Sequence, residues 1–202
     1  MARTLTWLHI SDLHARCSND WDASAVTGAL VRDLQAMSRE FGLLPDFIFL
    51  TGDIAFGATP SEDMSDQYML ARQFLDGVRN AFEPAIELRS IYLVPGNHDV
   101  DRREVSPGET EWLRSQKRSL SEILAAMQTK NKQWRTWLER LGSYRQFLHG
   151  MGLHHLKPDD PHLLWADVQE VAGLRVGIAG LNSAWSAADD DDKGRLWAGI
   201  QY

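Results

Sequence analysis

The chain has 202 residues, of which 44% are hydrophobic and 24% are charged, a composition that excludes disordered and collagen-like proteins and suits a single globular domain. The formal charge of -7 disfavours nonspecific binding to a long nucleic-acid backbone. The single cysteine, Cys17, excludes an internal disulfide and is typical of a reducing compartment. Because residues 1–10 lack the apolar region of a signal peptide and no segment has the ~18 apolar residues of a membrane span, we expect a cytoplasmic protein without a membrane partner.

Strands and helices alternate along the first half of the chain. Short apolar runs predict three buried strands, at residues 5–10, 47–50 and 91–94. Apolar residues at helical spacing predict two helices, over residues 26–41 and 64–82, with Ser61 as the N-cap of the second. Because this order is β-α-β-α-β, we expect a parallel sheet whose strands are joined by crossover helices.

Residues 103–160 are more polar and predict a helical insertion within the domain. Two apolar stripes at helical spacing support it: Leu120, Ile123, Leu124 and Met127, then Trp134, Leu138, Leu141, Tyr144 and Leu148. We interpret the tryptophans of this segment, Trp112, Trp134 and Trp137, as packing residues, with a base-stacking or partner surface as the alternative.

The remainder of the chain predicts a second sheet. Residues 163–168 and 174–179 are two candidate strands, and Ala172-Gly173 between them favours a hairpin. The neighbouring histidines His154 and His155 are interpreted as a solvated loop pair.

A polar cluster directly follows each of the first three predicted strands. The clusters contain Asp12 and His14, then Asp53, then Asn97, His98 and Asp99. Ligands of open α/β sheets gather at the carboxyl ends of parallel strands, so we expect the three clusters at one edge. Mixed nitrogen and oxygen ligands suit manganese, iron or zinc. Each cluster alone can be an ordinary surface pair or turn, so the argument depends on all three occurring in this order.

These motifs together resemble the signature of the calcineurin-like metallophosphoesterases, which is Asp-x-His, then Gly-Asp, then Gly-Asn-His-Asp. The neighbouring segments LTGDIAFG (50–57), VPGNHDVDR (94–102) and LNSAW (181–185) resemble the bacterial cyclic-nucleotide-phosphodiesterase-like branch of that family. The resemblance covers most of the chain apart from the insertion. It implies an α/β fold, a metallophosphoesterase-type sandwich of two facing sheets with helices on the outside.

The resemblance also implies a role for each residue of the clusters. Four residues would be metal ligands: Asp12 and His14 would bind the first of two divalent ions, Asn97 would bind the second, and Asp53 would bridge both. His98 would face the scissile phosphate as a proton donor, and Asp99 would orient His98. A hydroxide bridging the two ions would attack phosphorus. We expect manganese, with iron or zinc as alternatives.

The family completes its site with later histidines, including a Gly-His-x-His segment that these 202 residues lack. We therefore expect the domain to be incomplete at Tyr202, with the natural chain continuing into the missing ligands and into further domains. The favoured function is a metal-dependent phosphodiester hydrolase acting on a nucleotide or nucleic acid. A nuclease effector domain of a larger protein, such as a defence protein, and a noncatalytic phosphoesterase-fold scaffold are the alternatives. The sequence does not indicate an oligomeric state.

Overall fold

The computed structural model describes residues 4–17, 21–104, 106–108, 111, 121, 125, 128–129, 132–188 and 196–197. Helices and strands follow in this order within those ranges: β1 (Trp7–Ser11), α1 (Trp21–Phe41), β2 (Phe47–Thr51), α2 (Met64–Arg79), β3 (Ile91–Val94), α3 (Lys132–Glu139), α4 (Gly142–Met151), β4 (Trp165–Val171) and β5 (Leu174–Gly180). Single 3-10 turns lie at Leu88–Ser90, Asn97–Asp99, Arg102–Glu104, His154–Leu156 and Ala184–Ser186.

The first sheet is parallel and has the order β1-β2-β3, as the alternation of strands and helices predicts. In its register Trp7 pairs with Phe47, and Ile48 pairs with Ile91. The central strand β2 and its neighbour β3 are mostly buried, although Thr51 at the end of β2 is exposed. The carboxyl ends of the three strands therefore lie at the same edge of the sheet.

Strand β1 departs from the prediction of a buried strand. Its side chains alternate between exposed and half-buried, and Trp7 is 58% exposed. Among the described residues β1 pairs only with β2, so it is an edge strand of this sheet. An apolar run indicates that a segment can be buried, whereas its actual burial depends on which elements pack against it. The prediction was therefore wrong for β1 and right for β2 and β3.

Both predicted helices are present, but the start of α2 differs from the prediction. The N-cap position belongs to Asp63 and not to Ser61. The hydroxyl of Ser61 lies 3.3 Å from that of Thr59, which also accepts a hydrogen bond from the Glu62 backbone N–H. Residues 59–62 thus form a turn of their own before the helix, and this turn uses the hydroxyl that the prediction assigned to the cap.

The second sheet is the predicted hairpin. Strands β4 and β5 are antiparallel, with Val171 opposite Leu174 around Ala172-Gly173, and both turn residues have positive φ, as a two-residue hairpin turn requires. Tyr92 of β3 joins the two sheets, since its hydroxyl donates to Asp167 (2.9 Å) and its ring lies 5.4 Å from that of Trp165. The molecule is thus a mixed α/β fold with a parallel sheet, an antiparallel sheet and flanking helices.

The described part of the insertion is helical and packs into the core. Trp134 and Trp137 are each 1% exposed and contact the ring of Trp185, which confirms these two as packing residues. The whole second stripe is buried, but it is divided between α3 and α4. Trp112 and the first stripe (Leu120, Ile123, Leu124 and Met127) lie outside the described residues.

His154 and His155 do not form a solvated loop pair. They belong to the 3-10 turn His154–Leu156, in which His154 is exposed and His155 is half-buried. The Nε2 atom of His155 lies 2.9 Å from the carbonyl oxygen of Ile91, and its ring packs edge-on against Tyr92. The contact with β3 gives His155 different surroundings from those of His154, and no local sequence pattern encodes that contact.

In the described part of the chain, every helix is too short or too polar to cross a membrane.

Candidate metal centre

The loops after the three parallel strands continue side by side beyond the sheet. The backbone N–H of His14 donates to the carbonyl of Asp53 (2.9 Å), and that of Gly52 donates to the carbonyl of Val94 (3.0 Å). An isolated parallel bridge joins Ala15 to Ala55. The polar clusters that follow the strands are therefore held next to one another by backbone hydrogen bonds, as the strand order predicts.

Three side chains converge at this edge. One potential ligand atom from each of His14, Asp53 and His98 lies within 4.8 Å of the other two, and all three residues are half-buried. The imidazole rings of His14 and His98 are 4.6 Å apart and nearly perpendicular. The backbone N–H of His98 donates to Oδ1 of Asp53 (3.0 Å), which ties the second loop to the third. Imidazole nitrogens beside a carboxylate are ligands that suit a divalent transition metal, so this donor set fits the predicted metal.

The backbone at the site is strained where the predicted ligands lie. Asp12, His14 and Asp53 have φ values of 54°, 46° and 50°. Residues other than glycine seldom adopt this left-handed conformation, which costs of order 1–3 kcal/mol each. The hydrogen bonds between the loops hold the strained backbone in place. Strain of this kind concentrates at functional sites, and here it affects the residues that the sequence pattern identified.

Gly96 provides the close approach on which the position of Asp53 depends. A Cβ atom at Gly96 would collide with Oδ1 and with the backbone N of Asp53. A Cβ atom at Gly52, whose φ is 78°, would lie 3.3 Å from the Cα of Gly96. The two glycines therefore let the loops after β2 and β3 pass each other closely enough to bring Asp53 and His98 together.

Asp12 and Asn97, the other two predicted ligands, lie in the same loops as the three converging side chains. Asp12 is exposed and is not part of the set formed by His14, Asp53 and His98. Asn97 is half-buried and begins the 3-10 turn that carries His98. Two of the four predicted ligands thus converge with the predicted proton donor, while Asp12 and Asn97 lie beside them in the same loops.

Asp99 makes different contacts from those that the resemblance implies. The side chain is fully buried and accepts hydrogen bonds from the backbone N–H groups of Ile54 (3.2 Å), Ala55 (3.0 Å) and Gly96 (2.8 Å), and from the Tyr68 hydroxyl (2.9 Å). None of its hydrogen bonds goes to the ring of His98. Asp99 therefore joins the two loops that carry Asp53 and His98, and it does not orient the imidazole by direct contact.

The environment of Asp99 contains two opposing influences on its protonation. Burial raises the pKa of the Asp99 carboxyl to about 6, although its four hydrogen-bond donors favour the ionised form. Burial and the nearby Asp99 carboxylate raise the pKa of Tyr68 well above its ordinary value. Because Tyr68 stays protonated, its hydroxyl is available as a donor to Asp99.

The orientation of His98 comes from Phe56, which the sequence analysis did not single out. Nδ1 of His98 lies 2.7 Å from the Phe56 carbonyl oxygen. A carbonyl only accepts hydrogen bonds, so Nδ1 carries the proton and Nε2 is left for the site. The ring of Phe56 lies 6.1 Å from that of His98 and 6.2 Å from that of His14.

Gln67 of α2 fixes the loop beyond Phe56 and was also missed. This fully buried side chain accepts from the Gly57 N–H and donates to the Gly57 carbonyl, both at 3.0 Å. Gly57 has a φ of 105°, a conformation open only to glycine without strain. The glycine that follows Phe56 was the available sequence signal, but the partner ten residues later was not apparent.

Comparison with known proteins agrees with this geometry. Residues 5–192 match the family model of the calcineurin-like phosphoesterases. The chain belongs to that family. Calcineurin-like phosphoesterases are hydrolases that use divalent metals to cleave phosphoesters, and the group formed by His14, Asp53 and His98 offers ligands for such a metal. No curated protein is significantly similar to the chain in sequence.

Proposed function

We propose that this phosphoesterase hydrolyses phosphodiester bonds of a nucleotide or nucleic acid. The observation that carries the proposal is the convergence of His14, Asp53 and His98 at the carboxyl edge of the parallel sheet. The positive φ values of Asp12, His14 and Asp53 support it, since backbone strain of this kind concentrates at functional sites. The segments around the motifs, which resemble a cyclic-nucleotide-phosphodiesterase branch, support diesters over monoesters.

In this proposal the loops supply the metal ligands. Asp12 and His14 would hold one divalent ion, Asn97 would hold a second, and the carboxylate of Asp53 would serve as a ligand to both. We expect the metal to be manganese. Divalent ions at this site would lower the pKa of bound water and neutralise charge on the phosphate. Iron or zinc would suit the same nitrogen and oxygen donors.

His98 is proposed as the residue that faces the phosphate. Since the Phe56 carbonyl holds the proton on Nδ1, Nε2 is the nitrogen that can donate to the leaving oxygen when the imidazole is protonated. Asp99 keeps this arrangement rigid by bonding the backbone of both neighbouring loops. Its part is to position His98 and Asp53, and it does not touch the substrate.

The two described tryptophans of the insertion favour a small nucleotide over a single strand of nucleic acid. Proteins that grip single strands stack bases on accessible aromatic rings. Trp134 and Trp137 are buried against Trp185 and leave no face for a base. A cyclic nucleotide is therefore the substrate that we place first, and a nuclease activity remains the competing outcome of the substrate test.

The substrate test compares four compounds with the purified protein and manganese: a cyclic nucleotide, single-stranded DNA, bis-p-nitrophenyl phosphate and p-nitrophenyl phosphate. We expect manganese-dependent hydrolysis of both diesters of low molecular weight and little of the monoester. Preferential cleavage of DNA would show that the protein is a nuclease and not a cyclic-nucleotide phosphodiesterase. If none of the four is hydrolysed while manganese is bound, the proposed function is wrong.

Variants of three histidines assign the roles in the site. We expect His14→Ala to lose bound metal and activity together. For His98→Ala we expect retained metal, measured by elemental analysis, and a rate reduced ~10²–10⁴-fold, the usual contribution of a positioned proton donor. The exposed His154 provides the control, since His154→Ala should change neither quantity. Loss of metal from His98→Ala would make His98 a ligand instead of a proton donor.

A further inference from the structure

Arg16 places a cation on the aromatic ring that adjoins the candidate metal centre. Its guanidinium carbon lies 4.4 Å from the centre of the Phe56 ring, the same ring that adjoins His14 and His98. Arg16 follows His14 by two residues, and the bridge between Ala15 and Ala55 fixes the backbone between them. The guanidinium is therefore held on the ring that adjoins both histidines, and only one residue separates Arg16 from His14.

The guanidinium has no hydrogen-bond or ion-pair partner in the described part of the chain. Arg16 forms no ion pair there within 4.0 Å, and its Nε atom is buried without a hydrogen-bond partner. Two other arginines behave differently. Arg103 binds the carboxylates of Asp63 and Asp101, and the buried Arg140 donates to backbone carbonyls. A half-buried arginine whose donors are not used within the protein is suited to bind a ligand.

We propose that Arg16 binds a non-bridging oxygen of the substrate phosphate. This inference rests on the proposed function and adds a substrate-binding residue to it. The planar guanidinium offers several N–H donors and a permanent charge, and its geometry matches phosphate oxygens. Contact with the face of Phe56 restricts the side chain, so less freedom is lost when the phosphate binds.

A purely structural role for Arg16 makes a different prediction. If its function were to pack on Phe56, then replacing it would change the stability of the loop and the bound metal together. If it binds phosphate, then replacing it weakens phosphate affinity while the metal is retained. The two roles are therefore separated by measuring phosphate binding and metal content on the same preparations.

The test is a calorimetric titration of the manganese-loaded protein with inorganic phosphate, followed by steady-state kinetics with bis-p-nitrophenyl phosphate. For Arg16→Gln we expect phosphate affinity ~10–100-fold weaker and KM raised more than kcat is lowered, with unchanged manganese content. Arg16→Lys keeps the charge but loses the planar pair of donors, so its phosphate affinity should lie between those of the wild type and Arg16→Gln. Arg39→Gln is the matched control, since Arg39 is exposed in the last turn of α1.

The outcomes separate the inference from the proposed function. Equal phosphate affinity for the wild type and Arg16→Gln overturns the inference, whether or not the diesters are hydrolysed. No phosphate binding by the metal-loaded wild type overturns it as well. Weaker phosphate binding by Arg16→Gln, with no hydrolysis of any diester by the wild type, supports the inference and refutes the proposed function.

Discussion

Tyr68 and Tyr144 lie beneath the candidate site with their rings 6.3 Å apart, yet their hydroxyls have different surroundings. Both side chains are buried. The hydroxyl of Tyr68 donates to Asp99, whereas the hydroxyl of Tyr144 has no hydrogen-bond partner among the described residues. The pair therefore allows the contribution of one hydrogen bond to be measured against a neighbour of the same size.

We expect Tyr68→Phe to lower the free energy of unfolding by ~1.5–3 kcal/mol, because it removes a hydrogen bond to a buried charged acceptor. Tyr144→Phe should change it by no more than ~0.5 kcal/mol or stabilise the protein, because a buried hydroxyl without a partner is unfavourable. Urea denaturation of both variants tests this. Equal losses in the two variants would show that the bond to Asp99 is not the cause.

At the residue scale, the sequence predicted residues that the structure brings together, but not all their contacts. His14, Asp53 and His98 were predicted and do converge. Asp99 was predicted at the site, but its partners Ile54 and Ala55 lie more than 40 residues away along the chain. Contacts over that separation depend on how the loops cross, and no spacing of residues within a motif encodes them.

At the scale of elements, the 3-10 turn His154–Leu156 connects α4 to the edge of the first sheet. Its half-buried His155 contacts the carbonyl of Ile91, the first residue of β3. Burial lowers the pKa of His155, although the hydrogen bond to Ile91 opposes that shift. The folded protein therefore favours the neutral imidazole relative to the unfolded chain.

The lowered pKa predicts a pH dependence of stability. The contact of neutral His155 is fully present above the unfolded pKa of ~6.5 and is lost as pH falls below it, because the unfolded chain then takes up a proton more readily. We expect His155→Gln to reduce the loss of unfolding free energy between pH 7.5 and pH 5.5, measured by urea denaturation. His154→Gln, at the exposed neighbouring position, should not. An unchanged slope in His155→Gln would contradict the prediction.

The strands and helices themselves were largely predictable. The runs of residues 47–50 and 91–94 became β2 and β3, and the pair of runs around Ala172-Gly173 became β4 and β5, since local apolar pattern and turn chemistry specify such elements. The errors concern the surroundings of elements. The exposure of β1 and the displaced N-cap of α2 each depend on neighbouring segments that the local pattern does not contain.

At the scale of the whole molecule, the candidate metal centre connects loops that are distant in sequence. The proposed ligands His14, Asp53 and Asn97 follow three different strands, so ions held by them would connect the loops at the sheet edge. The unfolded chain does not offer these ligands at one place. Metal binding should therefore stabilise the folded state by mass action.

We expect manganese to raise the thermal unfolding midpoint in proportion to the logarithm of its concentration, with ~2.7 kcal/mol of added stability at one hundred times the dissociation constant. A chelator should reverse the shift, and His14→Ala should abolish it. Differential scanning calorimetry at several manganese concentrations measures it. A shift of equal size in His14→Ala would place the binding site elsewhere.

The sequence by itself predicted which residues are candidates for the chemistry, because metal ligands are recognisable side chains and short apolar runs place them at strand ends. Only the tertiary structure decided how those residues are supported. It set the strained backbone at Asp53, the four donors to Asp99, the Phe56 carbonyl on His98 and the position of Arg16 over Phe56. These features arise where separate loops contact one another, and the relative positions of those loops depend on the packing of the whole chain.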